Sequence, residues 1–237
     1  MKFFHDYEEE IKSLVIDDIF VYIDRRNTIF NFIHHMNTVY RVESYTNPVG
    51  SKTITIWAGE SYHYLIILRQ QAQLDLKVSC TGEHASATIK ILCIGSAGSH
   101  IQHTTLVSLD ANHTETNVTM LSLLLSWSDV AIHGNVTLSP GVSKVSGHLL
   151  EENIILGDTI KIRTAPILDV HSSDVSASHG CRVERLDPKR LFYMQSRGLT
   201  PSESQWLIVD GYLTSMFEWF EWQELLIEEL RQEILSS

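Results

Sequence analysis

The sequence predicts a mainly β chain that ends in helices, and three observations carry that prediction. From about residue 50 the hydrophobic period is two, in short runs: Thr53-Ile54-Thr55-Ile56, Tyr62-His63-Tyr64-Leu65, Leu74-Asp75-Leu76-Lys77-Val78 and Ala87-Thr88-Ile89-Lys90-Ile91. Each run reads as a strand with one buried face. The turns between them carry Gly, Asn, Ser and Asp, yet residues 50–185 contain no Asn-Gly or Asp-Gly dipeptide, the pair that two-residue hairpins favour. After residue 186 the pattern changes to helices with sharp caps. Many short strands build a sandwich, a barrel or a β-helix. The missing hairpin dipeptides tilt the choice toward a solenoid, whose turns stack and bury a continuous apolar column.

Taken in order, residues 1–49 form an N-terminal segment of mixed or helical character. Ile11, Leu14, Val15, Ile19 and Val21-Tyr22-Ile23 are apolar there, and Arg25-Arg26-Asn27 breaks the pattern. Residues 50–185 form the β core, with further strands near 104–109, 117–124, 130–133, 142–148 and 159–163. Gly59, Gly82, Gly95, Gly98, Asn112, Gly134, Pro140-Gly141 and Gly157-Asp158 punctuate them. A rung is expected to be missing around 147–158. Residues 186–237 form a helical domain. Asp187 can cap the first helix and Pro188 can take its first position, where a missing N–H costs nothing. Gly198 suits the left-handed residue after that helix. Thr200-Pro201-Ser202-Glu203 spells a capping box, so a second helix follows at once. The expected helices lie at about 188–197 and 201–213, with a longer one beyond.

The chain has 237 residues, enough for one sizeable core. Its hydrophobic content of 43% and charged content of 20% belong to a globular protein. A formal charge of -11 argues against a nucleic-acid partner, whose phosphates demand a basic surface. No apolar run approaches the ~20 residues of a membrane span, and the acidic N-terminus is unlike a signal peptide, so the expected location is the cytoplasm. The three cysteines are too few and too scattered for a disulfide framework, and Cys80 and Cys93 read as buried thiols in strands. There is no phosphate-binding G-x-x-x-x-G-K-[ST] loop, no G-x-S-x-G elbow and no H-E-x-x-H pair. Nothing in the sequence asks for an enzyme.

Chemistry gathers at Ser178-His179-Gly180-Cys181. His179 and Cys181 stand at i and i+2, so on a strand both leave the same face. Imidazole and thiolate are suitable ligands for iron or zinc, but an iron–sulfur cluster needs about four ligands. A subunit dimer could supply the remainder. The tail adds a second feature. Trp206, Tyr212, Phe217, Trp219, Phe220 and Trp222 are dense for a small cap, and tryptophan is favoured at interface hot spots. They are the expected partner-binding residues.

Residues 150–213 also resemble a known family. Pro166, Leu168-Asp169-Val170, Asp174-Val175, Ser178-His179-Gly180-Cys181 and Leu191-Phe192-Tyr193-Met194-Gln195-Ser196-Arg197-Gly198 follow the order of the C-terminal core of SufB and SufD. Those are the β-helical scaffold proteins of SUF iron–sulfur assembly. The resemblance implies a right-handed parallel β-helix followed by helices. It implies a scaffold that binds no cluster permanently and at most carries a transient one. It implies two partners, a second SufB/SufD-like subunit in a homo- or heterodimer and a SufC-type ABC ATPase docked on the C-terminal helices. It ties His179 to cluster assembly at the subunit contact. Two departures matter: Gly180 stands where SufB carries a glutamate, and Cys181 replaces the usual small alanine, so its role is not inherited.

Overall fold

The computed structural model describes residues 2–3, 12–16, 19–24, 27–34, 37–218 and 223–236. Its strands are β1 (Lys2–Phe3), β2 (Lys12–Ile16), β3 (Ile19–Asp24), β4 (Asn27–His34), β5 (Thr38–Thr46), β6 (Val49–Ile56), β7 (Ser61–Arg69), β8 (Gln71–Cys80), β9 (Ser86–Gly95), β10 (His100–Leu109), β11 (Glu115–Leu124), β12 (Asp129–Leu138), β13 (Val145–Ile155), β14 (Lys161–Thr164), β15 (Ile167–Val170) and β16 (Val175–Arg185). The helices are α1 (Pro188–Ser196), α2 (Pro201–Phe217) and α3 (Gln223–Ser236).

One sheet runs β1-β2-β3-β4-β5-β7-β9-β11-β13-β16, and the other β14-β12-β10-β8-β6 with β15 beside β12. From β5 to β14 successive strands alternate between the sheets and each pairs in parallel with the strand one turn away, as in β9–β11–β13; β14 and β15 then share the smaller sheet before β16 returns to the larger. This is a β-solenoid of about four turns, followed by C-terminal helices. Parallel partners cannot be joined by two-residue hairpins, which accounts for the absent Asn-Gly and Asp-Gly dipeptides. One corner uses a left-handed residue on successive turns: Gly59, His84, His113 and Lys144 have φ between +56° and +70°. The N–H of each donates to the next turn, to the carbonyls of Glu83, Asn112, Ser143 and Asp174 at 2.8–3.3 Å. Three of the four are not glycine, because this ladder of hydrogen bonds holds the corner.

The inward faces fill the lumen with Ile66, Leu68, Ile89, Ile91, Met120, Ile132 and Val136, all essentially buried. The outward face of the larger sheet is apolar too. Leu65, Ile67, Leu92, Ile94, Leu121 and Leu123 lie under α2 and α3, against Val209, Leu213, Met216, Leu226, Leu230 and Ile234. Two basic residues on that face reach the helical region. Arg69 Nε donates to Glu233 at 2.8 Å, and Lys90 Nζ to the Ser215 carbonyl at 2.6 Å and to Glu218 at 2.8 Å.

Three expectations change. The described parts of the N-terminal segment are strands rather than helix: β1 to β4 pair antiparallel and extend the larger sheet. Ile19, Val21 and Ile23 alternate, which is a strand period. The solenoid begins at Thr38 instead of residue 50, because β5 is already parallel to β7. No rung is missing at 147–158, where β13 is a full strand. Its inward residues include Glu151 and Asn153, so the apolar alternation that marks the other strands is interrupted.

The helix starts behave as expected. The Asp187 side chain accepts from Lys189 N, and Thr200 and Glu203 form a reciprocal box at 3.2 and 2.7 Å. Thr200→Ala should lower the unfolding free energy by about 1 kcal/mol. Gly198 sits at φ +98°, so Gly198→Val should cost more than that. Urea melts of the two variants check both, and a Thr200→Ala melt identical to the native one would remove Thr200 from the cap.

Candidate functional site

The last turn of the solenoid places the chemistry. In β13, Leu149 and Glu151 are buried while Leu150 between them is exposed. The parallel register sets His179 beside Leu149, Gly180 beside Leu150 and Cys181 beside Glu151. Side-chain parity is kept across in-register strands, so His179 and Cys181 face the lumen and Gly180 faces outward. Both are nevertheless exposed, because β16 is the terminal strand of its sheet and no further turn covers them. The predicted pair therefore stands together at an open mouth.

Opposite it, the smaller sheet is interrupted. β14 ends at Thr164 and β15 resumes at Ile167, with Ala165-Pro166 between, while β12 runs straight past the gap. Thr164 is the residue at the break. Its hydroxyl donates to Glu151 Oε2, and its oxygen lies 3.6 Å from Cys181 Sγ. The other carboxylate oxygen, Oε1, accepts from the Gly134 backbone N–H at 2.7 Å. Gly134 makes room for this: a Cβ there would lie 2.6 Å from Leu149 Cδ1 and 3.1 Å from Glu151 Oε1.

Glu151 is fully buried, and burial raises its carboxyl above the usual range. The Thr164 and Gly134 hydrogen bonds and the nearby His133 and His179 only partly offset that. The far end of the lumen holds a contrasting carboxylate. Glu43 is also fully buried, but Arg41 Nε at 2.7 Å, Lys52 Nζ, Tyr45 OH at 2.6 Å and Tyr64 OH all donate to it. Burial alone would raise its carboxyl; the bonds from Lys52, Tyr45 and Tyr64 and the charge of Arg41 hold it below the usual range instead.

Among the described residues no three His, Cys, Asp or Glu side chains gather closely enough to hold a metal ion. One chain thus brings two soft donors to the mouth, short of a cluster's four. Cys80 and Cys93 are buried in the lumen core, and burial pushes both thiols up to about 12, which makes them inert packing residues.

The aromatic tail divides. Trp206 and Phe217 are buried beneath α2, so they serve the helix–sheet core rather than a surface. Tyr212 is half-buried, with its hydroxyl on Glu184 at 2.7 Å. Trp219, Phe220 and Trp222 lie outside the described residues. The exposed large side chains in this region are instead Phe192 (73%) and Tyr193 (59%) on α1 and Leu207 (53%) on α2. Sequence reasoning missed them because α1 buries no residue at all, which its single short turn pattern does not reveal.

A parallel β-solenoid followed by helices, with a histidine and a thiol side by side on its last rung, is the class of fold and site the chain presents. Residues 60–212 match the family model for the SUF system FeS cluster assembly SufBD core domain. The chain belongs to the SufB/SufD family. It is similar to the iron-sulfur cluster assembly protein SufD of Escherichia coli K12, 28% identical over 44% of this chain and 23% of that protein. The SufD of Bacillus subtilis 168 is 30% identical over 40% of this chain and 21% of its own length. A SufBD family protein of Mycobacterium leprae is 27% identical over 80% of this chain and 21% of its own. The aligned part is less than a quarter of each of these relatives. No described helix is long and apolar enough to cross a membrane.

Proposed function

We propose that the chain is a scaffold subunit of a SUF-type assembly, without catalysis of its own, which pairs with a like subunit through the open mouth. The carrying observation is the position of His179 and Cys181, both lumen-facing and exposed on a terminal strand that pairs with β13 on one edge and has no partner strand on the other. Edge strands invite pairing with another chain. Two such mouths meeting would bring two imidazoles and two thiols near one axis, the number of donors a transient cluster needs. The cluster is cargo, not a resident cofactor. A SufC-type ATPase would dock on the helical region, where Phe192, Tyr193 and Leu207 present apolar surface. Three free thiols support a cytoplasmic location.

The test is anaerobic reconstitution with iron and sulfide, read by visible absorbance, alongside capture of the ATPase. His179→Ala should keep the fold and the ATPase but lose cluster-dependent maturation, and Cys181→Ser should lose less. Normal maturation by His179→Ala would remove the site. Phe192→Ala with Tyr193→Ala should weaken ATPase capture about tenfold, as loss of interface aromatics does. Undiminished capture would move the docking surface elsewhere.

A further inference from the structure

The buried carboxylate at the mouth is the group that the scaffold reading leaves without a role. Glu151 is fully buried, and no ion pair to a cationic side chain is found for it among the described residues. Burying an acid is costly, and an apolar residue at this lumen position would pack without that cost. Two features of the chain are nonetheless arranged around it. Gly134 leaves the space and supplies an N–H to one oxygen, and Thr164, in register with the inward-facing Ile132, supplies a hydroxyl to the other. With its proton given to Glu151, the Thr164 oxygen can only accept from the next group, and that group is the Cys181 sulfur at 3.6 Å.

We propose that Glu151 and Thr164 are positioning residues for Cys181, holding its sulfur toward the lumen axis through the sequence S–H to Thr164 O–H to Glu151 carboxylate. This rests on reading the mouth as the cargo site, and it adds what fixes the thiol there. Neither residue touches the cargo. Their effect is on the direction of the sulfur, the kind of outer support whose loss commonly weakens metal binding 10- to 100-fold.

The S–H stretching band of the whole chain reads this directly, since a donated S–H absorbs at lower frequency than a free one. The Cys181→Ser difference spectrum identifies the Cys181 band against those of the buried Cys80 and Cys93. In the isosteric Thr164→Val variant the band should move up to the free-thiol position, and Thr164→Ser should restore it. Glu151→Gln should also shift it, because an amide can donate to the Thr164 oxygen and displace the thiol. An unmoved band in both Thr164→Val and Glu151→Gln overturns the positioning role. The underlying site reading fails separately: full cluster delivery by both His179→Ala and Cys181→Ser would remove the cargo site while leaving the band shifts intact.

Discussion

Glu43→Ala should lower the unfolding free energy by about 3 kcal/mol, near the lower end of what breaking a buried ion pair costs. Glu43 has no exposed side-chain surface, while Arg41 and Lys52 keep 34% and 29% of theirs. Removing the carboxylate leaves two cations and the hydroxyls of Tyr45 and Tyr64 around an empty acceptor. The partly exposed cations can turn to water, which limits the loss; the buried tyrosines cannot. Glu43→Gln keeps an acceptor and the volume, so it should fall between Ala and native. Replacing Arg41, Glu43 and Lys52 together by methionine and leucine should be far milder than Glu43→Ala, because no charge is then left unpaired. Urea melts of the three proteins decide it, and a Glu43→Ala loss below about 1 kcal/mol would show that the cluster contributes no net stability.

The legible part of this fold is the part whose side chains alternate cleanly. Ile54, Leu74, Leu76, Ile89 and Ile91 announce their strands because every second residue is apolar and inward. The caps at Asp187 and Thr200 were equally legible, being local chemistry that needs no tertiary context. The shared face of His179 and Cys181 followed from strand parity alone. What sequence could not supply was partnership across the lumen. Glu151 looks like one of two adjacent surface glutamates until β13 is known to turn it inward, and Thr164 becomes relevant only once its register with Ile132 places it across the lumen. Glu43 lies in a segment whose apolar residues spell a mixed or helical pattern in the sequence. The tail misled in another way. Its aromatic richness suggested a surface, yet Trp206 and Phe217 cover the outward face of Leu65, Ile67, Leu92 and Leu121. A chain ended at Gly198 would uncover that face, so the helices belong to the core as well as to any docking surface.

Acid should cost this protein about 3 kcal/mol through one side chain, His103. The imidazole faces the lumen from β10, is 2% exposed, and pairs through Nε2 with Thr105 Oγ1 at 2.8 Å. Burial lowers its pKa to about 4, against weaker upward pulls from the Leu74 main chain and the Asp75 carboxylate. The folded value lies below the ordinary value near 6.5, so between them the unfolded chain binds the proton and the folded chain does not. Stability from this group is therefore complete above about pH 6.5 and is lost progressively as pH falls toward 4. Glu43, held below the ordinary carboxylate value of 4.5, adds its own loss only from there downward, at the foot of the His103 window. Denaturant melts at pH 7, 5.5 and 4.5 should show the decline in the native protein and a much flatter profile in His103→Gln, which keeps a polar group for Thr105 but cannot be charged. Equal slopes in the two proteins would mean that His103 binds its proton as readily in the folded chain as in the unfolded one, and burial would then not be what sets the acid limit.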